Sequence, residues 1–169
     1  MDRNYFDLKD HVAIVTGCSG GLGVQMAKAL ASQGATIVAT ARRENKVQEV
    51  AEEIAAEFGV PTWYYKCDIT DTDVVNQMVD AVYEKFGRID ILVNNAGTGA
   101  VAPAEDITDD QFGNEMQIDL FGTFRVARAV AKKAMIPANY GRIINIASMY
   151  GLVGNKVAGS APYHAAKGG

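Results

Sequence analysis

An apolar run that breaks into glycines and resumes as an amphipathic run constrains this chain more than anything else in it. His11-Val12-Ala13-Ile14-Val15-Thr16 reads as a buried β-strand. It passes directly into Thr16-Gly17-Cys18-Ser19-Gly20-Gly21-Leu22-Gly23. From about Gly21 to Gln33 the pattern is helical, with Leu22, Met26, Ala29 and Leu30 expected on one face and Gly34 as the stop. A strand that feeds a helix in this way does not pair with the next strand as a hairpin. The helix crosses over the sheet and delivers the chain to a parallel neighbour.

The alternation continues along the sequence. Thr36 to Thr40 is a second strand, and Val47, Val50, Ala51, Ile54 and Phe58 form the apolar stripe of a second helix closed by Gly59. Pro61 opens a third strand, Thr62 to Cys67, with Tyr64 and Tyr65 as strand residues. A Thr70/Asp71 cap precedes a third helix that turns Val74, Val75, Met78, Val79, Val82 and Phe86 inward and ends at Gly87. Ile89 to Val93 is a fourth strand, followed by Asn94-Asn95-Ala96-Gly97 and a Gly/Ala/Pro loop to Pro103. Thr108-Asp109-Asp110-Gln111 is a capping box, with Ile107 and Phe112 placed as a staple, before a long helix towards Pro137. Arg142 to Ala147 is a fifth strand. The expected fold is α/β: one domain with a doubly wound parallel sheet of the Rossmann type, with ligands beyond the carboxyl ends of the strands.

Composition narrows the function classes. The 169 residues are 49% hydrophobic and 21% charged, which excludes a disordered or collagen-like chain. The net charge of −4 argues against nucleic acid or an anionic membrane as a partner. Cys18 and Cys67 are too few for a disulfide framework, so a reducing, cytoplasmic location is expected and both are read as small fillers. The charged N-terminus has no signal-peptide core, and no run is long enough to span a membrane. His11 and His164 are expected to face solvent, with no metal cluster around them.

The glycine loop has the chemistry of a phosphate cradle. Gly17 permits a tight turn, Gly21 lets backbone approach a pyrophosphate, and Gly23 lets the helix pack closely. The helix start then presents free N–H groups and a positive dipole end to the phosphates. No Gly-Lys-Ser/Thr follows, which disfavours ATP hydrolysis.

Thr16-Gly17-x-x-x-Gly21-x-Gly23, Asn94-Asn95-Ala96-Gly97, Ser148 after the fifth strand and Tyr163-x-x-x-Lys167 occur in that order from about Val12 to Lys167. Together they resemble the short-chain dehydrogenase/reductase family. Asn145-Ile146-Ala147-Ser148-Met149-Tyr150-Gly151-Leu152 further resembles members known as gluconate 5-dehydrogenases. The resemblance implies a nicotinamide dinucleotide held by Gly17, Ser19, Gly20, Gly21, Leu22, Gly23, Asp68, Asn95, Ala96 and Gly97, with Asn94 knitting strands together. Thr40-Ala41-Arg42-Arg43 stands where an acidic residue would select NAD(H). Arg42 is positioned to clamp a 2′-phosphate, so NADP(H) is preferred and NAD(H) is the alternative. A solvated arginine pair at a helix start is the plain alternative for Arg42.

Tyr163 and Lys167 are four residues apart and share a helix face. A free phenol titrates near about 10, too high for a good base at neutral pH, and a cation one turn away favours the phenolate. By resemblance, Tyr163 moves the proton, Lys167 also bonds the nicotinamide ribose, and Ser148 holds the substrate oxygen. Two positions depart from the family pattern. Asp119 stands where the family usually has Asn, so it enters as a candidate catalytic residue able to pair with Lys167. Ser148 and Tyr163 are also spaced slightly wider than usual, which predicts a bulge towards substrate over Gly154–Pro162.

The expected activity is interconversion of a secondary alcohol and a ketone on a small molecule, with sugar acids or polyols as leading substrates. Steroid or acyl carbonyls are the enzymatic rival, and a non-catalytic dinucleotide-binding module is the rival from another class. The family continues past the Tyr–Lys helix, of which only a first turn is expected here. The 169 residues are therefore expected to be an incomplete domain without its last strands, with Ile143-Ile144-Asn145-Ile146 left as an apolar edge. The complete protein is expected to be a homodimer or homotetramer.

Overall fold

A computed structural model of the chain describes residues 5–99, 101–155 and 159–169. Five parallel strands form one sheet in the order β3-β2-β1-β4-β5. They are β1 (Val12–Thr16), β2 (Thr36–Ala41), β3 (Thr62–Lys66), β4 (Ile91–Asn94) and β5 (Arg142–Asn145). The helices are α1 (Gly21–Ser32), α2 (Glu44–Phe58) and α3 (Thr72–Phe86), then a rod, and α7 (Ala161–Gly168) at the end. The rod runs without a break through α4 (Asp109–Met116), a π-helical stretch Gln117–Gly122, α5 (Thr123–Val130), a second π-helical stretch Ala131–Met135, and α6 (Ile136–Ala138). Among the described residues, no helix is long and apolar enough to cross a membrane.

Alternation along β1 builds two cores. Val12 and Ile14 join the α3 and rod side with Val75, Met78, Val82, Leu92 and Val126. Ala13 and Val15 join the α1 and α2 side with Ala27, Ala31, Val47, Ile54 and Val93. Both faces of β1 are dry, which is why its sequence is a continuous apolar run. Each large side chain buried here contributes about 1.5–3 kcal/mol over an exposed one.

The caps follow the sequence chemistry. Asp71 accepts the Asp73 and Val74 N–H groups at 2.9 and 3.1 Å. Thr108 and Gln111 form the reciprocal capping box. Gly59 and Gly87 end α2 and α3 in the left-handed conformation.

One face of α1 differs from expectation. Its buried residues are Gly23, Ala27 and Ala31, whereas Leu22 and Ala29 are exposed and Met26 and Leu30 only half-buried. The contact is set by small residues because the helix start approaches backbone: a Cβ on Gly23 would stand 2.6 Å from the Gly17 carbonyl oxygen. Hydrophobicity marks the wrong stripe when size decides the packing.

The far end of the sheet is open. Ile143 and Ile144 of the edge strand β5 are 40% and 45% exposed. The α7 helix is two turns long rather than the single turn expected. Of the expected Gly154–Pro162 bulge, residues 156–158 lie outside the described residues, as do residues 1–4 of the N-terminus and Ala100 of the Pro103 loop.

Candidate active site

The strand order reverses between β1 and β4: the chain goes from β1 to β2 on one side and from β3 to β4 on the other. Two loops therefore diverge at the carboxyl ends of β1 and β4, where open α/β sheets leave a crevice. Thr16, the last residue of β1, ties the loops together. Its Oγ1 accepts the N–H groups of Asn95 and Ala96, each at 3.0 Å. Asn95 reciprocates, its Nδ2 donating to the carbonyls of Thr16 at 3.0 Å and Gly17 at 3.4 Å. Asn94 bridges β4 to β5 through Asn145 Oδ1 at 3.0 Å and reaches the Thr123 carbonyl at 3.3 Å.

The glycines leave room where a ligand would lie and pack where none could. Gly17 has φ +66°, and a Cβ there would stand 2.7 Å from the Ala96 Cα. Gly20 and Gly21 face open space, and Gly21 has φ +58°. The start of α1 has no side-chain cap and no acidic residue in its first turn. Its N–H groups thus point outward without a built-in acceptor, unlike those of α3, which Asp71 satisfies.

These elements enclose a cavity of about 730 Å³. Gly17, Ser19, Gly20 and Gly21 line one side; Arg42, Asp68, Ala96 and Gly97 line others. Of the expected contacts, Leu22, Gly23, Asn95, Tyr163 and Lys167 do not line it. Leu22 is 65% exposed, and Gly23 and Asn95 are engaged behind the loop. Sequence reasoning missed six lining residues, Ala41, Cys67 and Ile69 among them. Arg43 also lines the cavity, and its Nη2 donates to Ser19 Oγ at 3.2 Å. Thr40 lines it too, with a buried Oγ1 that has no hydrogen-bond partner among the described residues. Ile118 reaches it from the rod. The Arg pair was visible in the sequence; the orphaned hydroxyl leaves no sequence signal. Asp68 Oδ1 accepts from Thr70 N–H and Oγ1, fixing the β3–α3 turn.

The proton-transfer candidates lie beyond Gly97. A Cβ on Gly97 would collide with Asp119 Oδ1 and stand 3.5 Å from Lys167 Nζ, and one on Gly99 would stand 3.7 Å from the Tyr163 ring. Lys167 Nζ donates to the Ile146 carbonyl at 3.0 Å, lies 3.2 Å from Asp119 Oδ1, and sits 5.7 Å from the centre of the Tyr163 ring. Asp119 is brought inward within a π-helical turn, a distortion frequent at functional sites. Ser148 Oγ accepts the Tyr150 N–H at 3.2 Å, capping the turn Met149–Gly151. Tyr150 packs edge-on to Tyr163 with centres 6.5 Å apart.

The expectation that both histidines face solvent is corrected. His164 lies against Tyr150 at 4.9 Å, its Nδ1 is 2.7 Å from the Ser160 carbonyl, and its Nε2 is buried. Helix periodicity turns His164 inward, because the turn after β5 packs along α7. His11 is half-buried and pairs with the Tyr140 hydroxyl at 3.0 Å. Burial pushes the Cys18 thiol up to about 12 and, with Asp68 and Asp71 adding to it, the Cys67 thiol up to about 12. Both are protonated fillers at neutral pH. No metal-ligating cluster occurs among the described residues.

The chain is similar to D-threitol dehydrogenase of Mycolicibacterium smegmatis, with 38% identity over 85% of this chain and 54% of that protein. It is also similar to 2-dehydro-3-deoxy-D-gluconate 5-dehydrogenase of Formosa agariphila, with 37% identity over 100% and 63%. The crystal structure of NAD⁺-bound xylitol dehydrogenase superposes with a TM-score of 0.90 at 38% identity, covering 95% of this chain and 61% of that one. A metagenomic short-chain oxidoreductase in complex with NADP superposes with a TM-score of 0.87 at 38% identity, covering 95% and 71%. The chain thus spans under two thirds of the two curated relatives. The family described as short chain dehydrogenase matches residues 11–169, nearly the whole sequence. Its glycine turn, its Asn94-to-Gly97 loop and its Tyr163–Lys167 helix stand together in one parallel α/β sheet, and on this agreement of sequence, fold and site the chain belongs to the short-chain dehydrogenase family.

Proposed function

We propose that this chain carries the dinucleotide site and acid–base group of an oxidoreductase that interconverts a secondary alcohol and a ketone. The observation that carries the reading is one loop, Gly97–Gly99, which lines the glycine-lined cavity at Gly97 and passes beside the Tyr–Lys helix: a Cβ on Gly97 would stand 3.5 Å from Lys167 Nζ and one on Gly99 3.7 Å from the Tyr163 ring. A ligand stretched along the cavity and past this loop would meet a phenol and an ammonium.

The residues present fit a nicotinamide dinucleotide. Gly20 and Gly21 leave backbone bare, the start of α1 offers N–H groups with no side-chain cap, and Thr40 holds a buried hydroxyl without a partner among the described residues. Gly17, Ser19, Gly20 and Gly21 would hold the diphosphate, and Asp68, Ala96 and Gly97 the adenosine half. When bound, the group supplies hydride transfer to or from the carbinol carbon. NADP(H) is preferred over NAD(H), because Arg42 and Arg43 line the cavity and no carboxylate ends β2 to repel a 2′-phosphate.

Tyr163 exchanges the proton on the substrate oxygen. Lys167, held by Ile146 and Asp119, gives the phenolate a cation on the same helix face. Ser148 Oγ, already oriented by the Tyr150 N–H, donates its own proton to the substrate oxygen. Polyols or sugar acids are the leading substrates, supported by the likeness to a threitol and a deoxygluconate dehydrogenase. The complete protein is proposed to be a homo-oligomer that takes a small-molecule substrate.

Loss of NADPH absorbance across a panel of polyol, sugar-acid, steroid and acyl ketones tests the activity. Turnover that disappears in Tyr163→Phe supports it. Dinucleotide affinity without turnover on any ketone would instead identify a binding module.

A further inference from the structure

Ser148 and Tyr163 stand on different elements, and one residue touches both. Tyr150 donates its backbone N–H to Ser148 Oγ at 3.2 Å. Its ring meets the Tyr163 ring edge-on, with centres 6.5 Å apart and planes at 73°. Among the described residues no other aromatic ring packs on Tyr163.

Tyr150 is itself held from two sides. Asn155 Nδ2 donates to its hydroxyl at 3.3 Å, and the His164 ring lies against it at 4.9 Å. The Ser160 carbonyl, 2.7 Å from His164 Nδ1, anchors His164 in turn. The turn Met149–Gly151 lies this close to α7 because Gly151 has no side chain: a Cβ there would collide with the Lys167 carbonyl.

We propose that Tyr150 is a positioning residue that fixes Ser148 and the Tyr163 ring relative to one another, the first through its backbone N–H and the second through its ring. This deepens the reading of Tyr163 and Ser148 as the groups on the substrate oxygen, and rests on it. Both hydroxyls must reach one oxygen at hydrogen-bond distance, about 2.6–3.2 Å each. The turn sets Ser148, whereas the Tyr163 ring stands on a helix face and turns about its own side-chain bonds. An edge-on aromatic neighbour favours one of those orientations. Because that neighbour belongs to the turn that orients Ser148, the two hydroxyls keep one spacing. A misplacement of about 1 Å slows a positioned reaction by up to about 10²-fold.

The test compares Tyr150→Ala, which removes the ring and keeps the N–H to Ser148, with Tyr150→Phe, which keeps the ring and removes the hydroxyl that Asn155 holds. Carbon-13 relaxation of labelled tyrosine rings in the ligand-free chain reads the Tyr163 ring directly; its signal is the one missing from Tyr163→Phe. In Tyr150→Ala the order parameter of that ring should fall, and in Tyr150→Phe it should stay near that of the unaltered chain. With NADPH and the ketone of the panel that turns over fastest, kcat should drop about three- to tenfold in Tyr150→Ala while both KM values stay within about twofold. Tyr150→Phe should regain most of that loss. An unchanged Tyr163 order parameter, an unchanged kcat, or a loss that Tyr150→Phe does not recover would overturn the proposal. If circular dichroism shows Tyr150→Ala unfolded, Tyr150→Leu takes its place; if neither folds, the ring is a structural element and the proposal falls. Failure of the underlying reading is seen separately, as turnover retained in Tyr163→Phe, and the proposal falls with it.

Discussion

The hydroxyl of Thr16 accepts the backbone N–H of Ala96 at 3.0 Å, joining the end of β1 to the loop after β4. The same oxygen takes the Asn95 N–H, so one side chain fixes both walls of the crevice at the point where the strand order reverses. Thr16→Val keeps the shape and removes the acceptor. It should cost about 1–3 kcal/mol by leaving half-buried donors unpaired. Urea denaturation measures this, and an unchanged midpoint would remove Thr16 from the role.

Gly17→Ala should cost more. The residue sits at φ +66°, and the new Cβ would press on the Ala96 backbone at 2.7 Å, which cannot rotate away. Left-handed strain and overpacking together predict a loss of about 2–4 kcal/mol. Gly20→Ala meets no atom and has an ordinary φ, so its stability should stay near that of the unaltered chain. Thermal melts of the two variants separate a packing glycine from one kept open for a ligand.

At the opposite end of the sheet, Asp90 receives the Val12 N–H at 2.8 Å and a two-pronged contact from Arg88 at 2.7 and 2.8 Å. Asp90 is buried, whereas the Arg88 side chain is 48% exposed. Asp90→Ala should destabilise by about 2–4 kcal/mol, because it strands a backbone donor inside the sheet. Arg88→Ala should cost less, since its guanidinium returns to water. The order of the two denaturation midpoints tests this.

The buried thiols give a pH signature. Folding raises Cys18 and Cys67 from about 9 to about 12. Above about 9 the unfolded chain releases these protons and the folded chain keeps them. Stability from this source is therefore complete below about pH 9 and is lost as pH rises towards about 12, with a slope of about 1.4 kcal/mol per pH unit for each thiol. Denaturation of the Cys18→Ala/Cys67→Ala variant should show a shallower decline across that window. An equal slope would contradict the account.

The proposed preference for NADP(H) rests on Arg42 and Arg43, of which the sequence pointed to the first. Arg42→Ala should raise KM for NADPH by about tenfold, the loss of one charge-assisted contact of 1.5 kcal/mol or so, while NADH is little affected. Arg43→Ala, which also frees Ser19, should act in the same direction. Equal NADPH efficiency in both variants would assign the arginines to the solvated surface.

The parallel sheet was legible because its strands are continuous apolar runs and its helices carry separate stripes. Val75, Met78, Val79 and Val82 are buried as their spacing predicts. Helix α1 was misjudged because its buried face is made of the small residues Gly23, Ala27 and Ala31, with Gly23 held against the Gly17 carbonyl, a packing that size decides and hydrophobicity does not mark. The Tyr163–Lys167 face followed from four-residue spacing within one helix. The Asp119–Lys167 distance did not, since it needs a π-helical turn and the packing of the rod against α7. The Arg43–Ser19 contact joins residues far apart in sequence, and the burial of the Thr40 hydroxyl is set by tertiary packing, so no local pattern encodes either.

A crystal structure of the chain soaked with NADP⁺ tests the central claim most directly. The account predicts a diphosphate against Gly20 and Gly21 at the start of α1, and a pyridine ring that faces the Tyr163 hydroxyl past Gly97. A dinucleotide lodged elsewhere, or a Tyr163 side chain turned away from the ring, would contradict it.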